Sequence, residues 1–339
     1  MLYIRADGNA EIGTGHVMRC LSIARDARSK GIPCVFIVAD ENMAPLLKEQ
    51  GFGYICLNSV WNDLDRETEQ MEQLIGQEGI RLLLVDSYFV TPEYLSRLHQ
   101  LTYVVYIDDL NAFTYPCSTL INYNLYADQM YSSNQYTNTR LLLGPKYAPL
   151  REEFQNLPQR IVRERVKDIL VTTGGSDPLN IAGNLVEKAK QHPDIADLNF
   201  HIVAGRFNQH LPMLERLAAK YTGVIIHHNV QRISELMLDC DIAVSAGGST
   251  MYELCACGTP TICFAFADNQ MDIVRTFGQT YMTNVGDMRR NSDMVIAQII
   301  AGISFLKNDH IVRKQQTDKI RSLVDGQGVR RIINAVASQ

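Results

Sequence analysis

From residue 2 to residue 337, short apolar runs alternate with segments whose apolar residues recur at helical spacing, and this alternation leaves few architectures open. Strand-like runs fall at 2–6, 33–39, 53–57, 81–86, 103–107 and 119–121, with helical patterns near 16–30, 42–50, 64–78 and 92–100. The run Pro33-Cys-Val-Phe-Ile-Val-Ala39 is continuously apolar, whereas a strand with one wet face would alternate. Gly31 closes the first helix and Pro92 opens the fourth. Such repetition builds a parallel sheet covered by helices on both faces.

Between 123 and 140 the period fails in a stretch rich in Asn, Tyr, Ser and Thr, which reads as a long loop, either mobile or a lid. From Leu141 to Arg165 prolines and charges replace the apolar period, as in a passage between domains. A second series then places strands at 168–173, 199–204, 223–227, 241–245 and 260–266. Helices are expected near 178–191, 208–221, 230–238, 249–257, 269–278, 292–306, 310–323 and 328–337. The expectation is an α/β chain of two doubly wound, Rossmann-like domains, 1–149 and 150–339, whose sheets face a common cleft with their carboxyl ends, where ligands bind.

Composition excludes several classes of function. With 339 residues the chain is two domains long, and 46% hydrophobic with 20% charged residues is ordinary for a soluble globular protein. A formal charge of -5 provides no global field for nucleic acid or an anionic membrane. No apolar run approaches the roughly 18 residues of a membrane span, and Arg5 and Asp7 interrupt any signal-like start, so a cytoplasmic protein without stable membrane insertion is expected. The eight cysteines lie mostly in apolar segments without a C-x-x-C pair, and read as buried thiols.

Three glycine turns follow strand-like runs. The first, Gly13-Thr-Gly15, puts His16 in the first turn of a helix, whose positive end disfavours an imidazolium. His16 is therefore a candidate general base, against a histidine that only packs at a helix start. In the second, Gly174-Gly175-Ser176-Asp177-Pro178, Asp177 reads as the cap and Pro178 as the first helical residue. The third, Gly247-Gly248-Ser249-Thr250, suits a phosphate or diphosphate held by free backbone N–H groups. Glu253 stands either three residues after Thr250 in a capping box or as acceptor for ribose hydroxyls. None of the three is a Walker loop or a complete G-x-G-x-x-G fingerprint, which argues against dinucleotide redox chemistry.

Several stretches carry a resemblance in the same order along most of the chain: the opening from Arg5 to Leu21, Val85-Asp-Ser-Tyr88, Tyr106-Ile-Asp-Asp-Leu110, Leu143-Gly-Pro-Lys-Tyr147, Gly174 to Pro178, and Ala246 to Glu253. Together they resemble the UDP-2,4-diacetamido-2,4,6-trideoxy-beta-L-altropyranose hydrolase family of pseudaminic acid biosynthesis. That family is similar to the GT-B glycosyltransferases, including the transferase that adds N-acetylglucosamine to lipid I. The resemblance implies a GT-B-like fold, UDP held mainly by the C-terminal domain, and metal-independent release of free sugar and UDP with no cofactor. It also matches Tyr88 to the family's active-site tyrosine, against a half-buried aromatic at a strand end.

Further residues follow by the same analogy. Asn229 and Val230 are expected at the uracil, Asn269 and Gln270 at the sugar's acetamido groups, and Gly175 and Ser176 at the nucleotide. Arg5 and Asp7 could bind the sugar or only brace the loop that carries His16, and a mixed role is expected. Met251-Tyr252 stands where the family has a more aromatic pair, which leaves Glu253 in register. Asp108 and Asp109 leave a strand in opposite directions and are assigned no metal. A monomer or weak dimer is expected, and an inverting UDP-sugar transferase is the alternative activity.

Overall fold

A computed structural model describes residues 1–9, 11–205, 208–228 and 230–337. The chain divides into two compact units, residues 1–151 together with those from Gly326 on, and Glu152–Asp325. In the first unit, strands β1 (Leu2–Ala6), β2 (Cys34–Val38), β3 (Gly53–Cys56), β4 (Leu82–Asp86), β5 (Tyr103–Ile107), β6 (Thr119–Asn122) and β7 (Arg140–Leu143) form one sheet in the order β3-β2-β1-β4-β5-β6-β7. In the second, β8 (Asp168–Thr172), β9 (Asn199–Ala204), β10 (Val224–His228), β11 (Ile242–Ala246), β12 (Thr261–Ala265) and β13 (Thr283–Asp287) follow the order β10-β9-β8-β11-β12-β13. Every strand pair described is parallel.

Both sheets reverse direction once. The order turns back between β1 and β4, where Ala6 lies opposite Asp86, and between β8 and β11, where Thr172 lies opposite Ser245. A reversal of this kind leaves a crevice at the carboxyl ends of the two central strands, because the connecting segments depart to opposite sides. The glycine turns after β1, β8 and β11 all stand at these two places.

Around this frame the core is continuous in each unit. Leu83, Val85, Val104, Tyr106 and Leu120 pack with Met71, Ile75, Leu95 and Leu98 on one face of the first sheet. The second unit buries Ile169, Val171, Phe200, Val244 and Phe264 with Leu185, Leu214, Ile299 and Ile303.

Four expectations are corrected. The stretch 123–140 is not loop throughout: it contains a short helix, Ala127–Met130, and Tyr123, Asn124, Tyr131 and Tyr136 are buried. Its tyrosines bury their rings and carry their hydroxyls to polar partners. The Tyr131 hydroxyl donates to Asp108, as does that of Tyr115 at 2.8 Å. The segment assigned to a passage between domains begins with strand β7, and β13 was not expected at all. Both are edge strands, paired on one side only, so neither needs a long apolar run. Finally, the helix after Pro178 begins at Ile181, where the buried Asp177 carboxylate accepts from the backbone N–H groups of Ile181 (2.8 Å) and Ala182 (3.1 Å).

The last helix, Gly328–Val336, packs against the helix Gly15–Ser29 of the first unit. Arg140 donates to the Ala335 carbonyl at 2.6 Å and Lys30 to Asn334 at 2.9 Å. No single described helix is long and apolar enough to cross a membrane. The approach of the last helix depends on Gly328, where a Cβ would run into the Ala148 carbonyl. Gly328→Ala is therefore expected to destabilise the protein by about 1–3 kcal/mol, read as a lower urea midpoint with an unchanged m-value.

Candidate active site

The crevice between β1 and β4 is lined by charges that hold one another in place. Asp86 ends β4, a strand paired on both sides, so its position is fixed by the sheet. The Gly13 turn (φ 73°) is closed by Asn9, which accepts from Glu11 N and Ile12 N and donates its own N–H to the Gly13 carbonyl. The helix Gly15–Ser29 then begins with His16 in its first turn and Arg19 one turn on, the same face by helical geometry. Gly15 is exposed and has open space where a Cβ would be.

His16 Nδ1 lies 2.6 Å from Asp86 Oδ1. Arg19 forks onto the same carboxylate, with Nε and one terminal nitrogen each at 2.6 Å. A carboxylate offers no donor, so the 2.6 Å contact assigns the imidazole proton to Nδ1, and the longer 3.2 Å approach of an Arg19 nitrogen to the same atom is then not a hydrogen bond. Nε2 is left with its lone pair, and no described residue hydrogen-bonds to it. Burial alone would raise the Asp86 carboxyl, but the charges and hydrogen bonds of Arg19 and His16 outweigh it and hold the group well below the usual carboxylate range. Burial and the Asp86 charge push the neighbouring Cys20 thiol well up, which keeps it un-ionised.

Tyr88, just past β4, meets the His16 ring edge-on at 4.5 Å between centroids. Its hydroxyl donates to Asp109 at 3.3 Å. Asp109 in turn accepts from Arg19 (2.8 Å) and from Asn124 (3.2 Å), while Asp108 faces Tyr115 and Tyr131. Asp86, Arg19 and Asp109 were not singled out as site residues from the sequence. The signal available was the three-residue spacing of His16 and Arg19 on one helix and a carboxylate ending a central strand.

Arg5 has no exposed surface. Its guanidinium forks onto Glu67 at 2.6 and 2.9 Å and reaches Asp7, whose other oxygen accepts from Ala39 N at 2.8 Å. Of the mixed role expected for Arg5, these contacts supply the bracing part. Asp7 is nearly as buried and ties the start of the His16 loop to the end of β2.

In the second unit the crevice is built from backbone. The Gly174–Ser176 turn leaves β8 beside the end of β9, and a Cβ on Gly205 would strike the carbonyl oxygens of Gly174 and Gly175. Gly205 was missed in the sequence, where it stands only as one glycine after a strand. Gly175 and Ser176 are half-buried. After β11, Gly247 is buried with Val274 and Gln270 where a Cβ would go, and Gly248 has φ 153°. Ser249 is exposed and Thr250 opens the helix Thr250–Cys257 with no side-chain cap, so the expected capping box of Thr250 and Glu253 does not form. Gln270 accepts from Phe266 N at 2.9 Å, Asn269 is exposed, and Val230 is half-buried after β10. Asn229 lies outside the described residues.

No protein-family model matches the chain. The chain is 24% identical over 335 residues to the spore coat polysaccharide biosynthesis protein SpsG of Bacillus subtilis, covering 97% of this chain and 95% of that one. It is 23% identical over 252 residues to the UDP-2,4-diacetamido-2,4,6-trideoxy-beta-L-altropyranose hydrolase of Campylobacter jejuni, covering 74% and 85%. An uncharacterised protein of Methanocaldococcus jannaschii is 24% identical over 273 residues, and this chain spans 54% of its length. Among solved structures, MurG of Acinetobacter baumannii superposes with a TM-score of 0.69 at 13% identity, over 100% of this chain and 99% of that one. The fold is GT-B. The pneumococcal O-GlcNAc transferase GtfA, solved with UDP and GlcNAc, shares this GT-B fold with a TM-score of 0.64 at 10% identity, over 100% and 99% of the two chains.

Two measurements test the charge arrangement. Glu67→Ala strands Arg5 in the core and is expected to cost about 3–5 kcal/mol in chemical unfolding. Glu72→Ala, which opens the partly exposed Arg97–Glu72 pair, is expected to cost under about 1 kcal/mol. Because Asp86 is depressed on folding, its stabilisation is present above the unfolded carboxylate value and lost as pH falls towards the folded one. The stability gap between the wild type and Asp86→Asn is expected to be flat from about pH 7 to pH 5 and to narrow below about pH 4.

Proposed function

We propose that this chain hydrolyses a UDP-linked sugar at the anomeric carbon without a metal and with inversion, the sugar being UDP-2,4-diacetamido-2,4,6-trideoxy-beta-L-altropyranose. The observation that carries the proposal is the 2.6 Å contact of His16 Nδ1 with Asp86 at the reversal of the first sheet, which leaves Nε2 without a partner among the described residues. The relation to the Campylobacter jejuni hydrolase supports the substrate.

In this mechanism Nε2 takes a proton from water as the water oxygen bonds to the anomeric carbon, on the face opposite UDP. The carbon–oxygen bond to the diphosphate breaks, and its electron pair leaves with UDP. Asp86 stabilises the imidazolium formed, as the carboxylate of a hydrolase triad does. Tyr88 orients the ring and the water. Backbone N–H groups around Gly247, Gly248, Ser249 and Thr250 meet the charge growing on the diphosphate, a fixed contribution of several kcal/mol.

The remaining assignments follow the chemistry of each position. Gly13 and Gly15 keep side chains away from the sugar, while Arg5 and Asp7 brace that loop. Gly175 and Ser176 line the nucleotide from the other turn, Glu253 accepts from the ribose hydroxyls, Val230 with Asn229 meets the uracil, and Asn269 and Gln270 receive the acetamido groups. The reaction is placed in pseudaminic acid biosynthesis, in the cytoplasm.

Purified protein given the diacetamido UDP-sugar and no acceptor is expected to release UDP and free sugar in equal amounts, with the inverted anomer seen by NMR before mutarotation. His16→Ala is expected to lower kcat by about 10²–10⁴. Asp86→Asn, which offers the wrong hydrogen-bonding partner to Nδ1, is expected to lower it by as much as about 10⁴. UDP release that requires an added sugar or lipid hydroxyl makes the protein an inverting transferase instead.

A further inference from the structure

His16 and Tyr88 depend on a third residue that meets neither sugar nor nucleotide in the mechanism above. Arg19 is buried, and its guanidinium is held by residues of this site among those described. Two of its nitrogens fork onto Asp86, the carboxylate that holds His16 Nδ1. The third donates to Asp109, the carboxylate that receives the Tyr88 hydroxyl, and to the Tyr123 hydroxyl at 2.7 Å. The imidazole and the phenol touch each other, each is held by its own carboxylate, and one planar fork holds both carboxylates.

We propose that Arg19 is the positioning residue of this site, setting the His16 tautomer through Asp86 and the Tyr88 ring through Asp109; as a statement about catalysis, this rests on the hydrolase reading. The physical reason is charge and geometry together. Asp86 is fully buried and Asp109 partly so, and two such carboxylates repel unless a cation lies between them. A guanidinium presents donors at fixed angles and can face two carboxylates in one plane, whereas an ammonium is a single point of charge. Without the fork, the buried Asp86 charge is balanced only by the imidazole, which then keeps a proton on Nε2 as well as on Nδ1, Asp109 loses its strongest donor, and the Tyr88 ring is no longer pinned to the imidazole edge.

The full-length protein tests this in two independent ways. In ¹⁵N NMR of the ligand-free wild type, His16 is expected to show a protonated Nδ1 and an unprotonated Nε2. In Arg19→Ala that pattern is expected to be lost, with Nε2 protonated as well as Nδ1 at neutral pH. In turnover, Arg19→Ala is expected to lose about 10²-fold or more in kcat with KM changed less than about threefold, and added guanidinium ion is expected to restore part of kcat. Arg19→Lys, which keeps the charge and loses the fork, is expected to fall between the two and to show no guanidinium rescue. It serves also if the alanine variant does not fold. A wild-type His16 pattern together with kcat within threefold of wild type in Arg19→Lys or Arg19→Ala overturns the proposal. If the wild type itself releases no UDP, the hydrolase reading fails while the NMR comparison still decides whether Arg19 sets the tautomer.

Discussion

The first unit's site depends on a carboxylate that has no business in the interior by itself. Asp86 is fully buried, and an isolated ion there would protonate. It stays ionised because Arg19 lies against both its oxygens and the imidazole of His16 against one. Removing Arg19 leaves a desolvated charge with no cation to balance it, and removing Asp86 leaves both Arg19 and His16 Nδ1 without their acceptor, so the cluster behaves as one unit. Its placement at the end of a central strand matters as much as its charge: β4 is paired with β1 and β5, and an anchor on a loop would hold the imidazole less closely.

The two units build the same topological position differently. The first fills it with charged side chains from a helix start and a strand end. The second builds it from glycine turns, which leave backbone N–H groups and little side-chain volume at the strand ends, the makings of a phosphate site in the proposed reading. The squeeze of Gly205 against the Gly174–Gly175 turn, and of Gly247 against Val274 and Gln270, shows how little side-chain volume that edge admits.

Fold likeness carries the architecture and stops there. At 13% identity the GT-B match extends over the whole chain, and proteins sharing that fold bear names that include transferases. Water and a sugar or lipid hydroxyl are equivalent nucleophiles to a histidine base. What separates hydrolysis from transfer is which nucleophile reaches the anomeric carbon, and that is decided by surfaces around the base rather than by the base itself.

Much of the fold was legible in the residues alone. Buried parallel strands must be apolar on both faces, so runs such as Leu82 to Val85 and Ile242 to Val244 announce themselves, and a glycine turn after a strand placed His16 at a helix start. Edge strands β7 and β13 escaped because one side of each is unpaired, and the tyrosines of 123–140 escaped because polar spelling hides rings that pack inward. Local spelling likewise suggested a capping box at Thr250 that the backbone does not form. What only the tertiary structure decided is which charges meet. Asp86 lies 67 positions from Arg19 and 70 from His16, and Arg19 lies 90 from Asp109. A sequence marks a residue's periodicity through its near neighbours, but the partners that fix a buried charge come from strands and helices brought together by the sheet, and no local pattern records them.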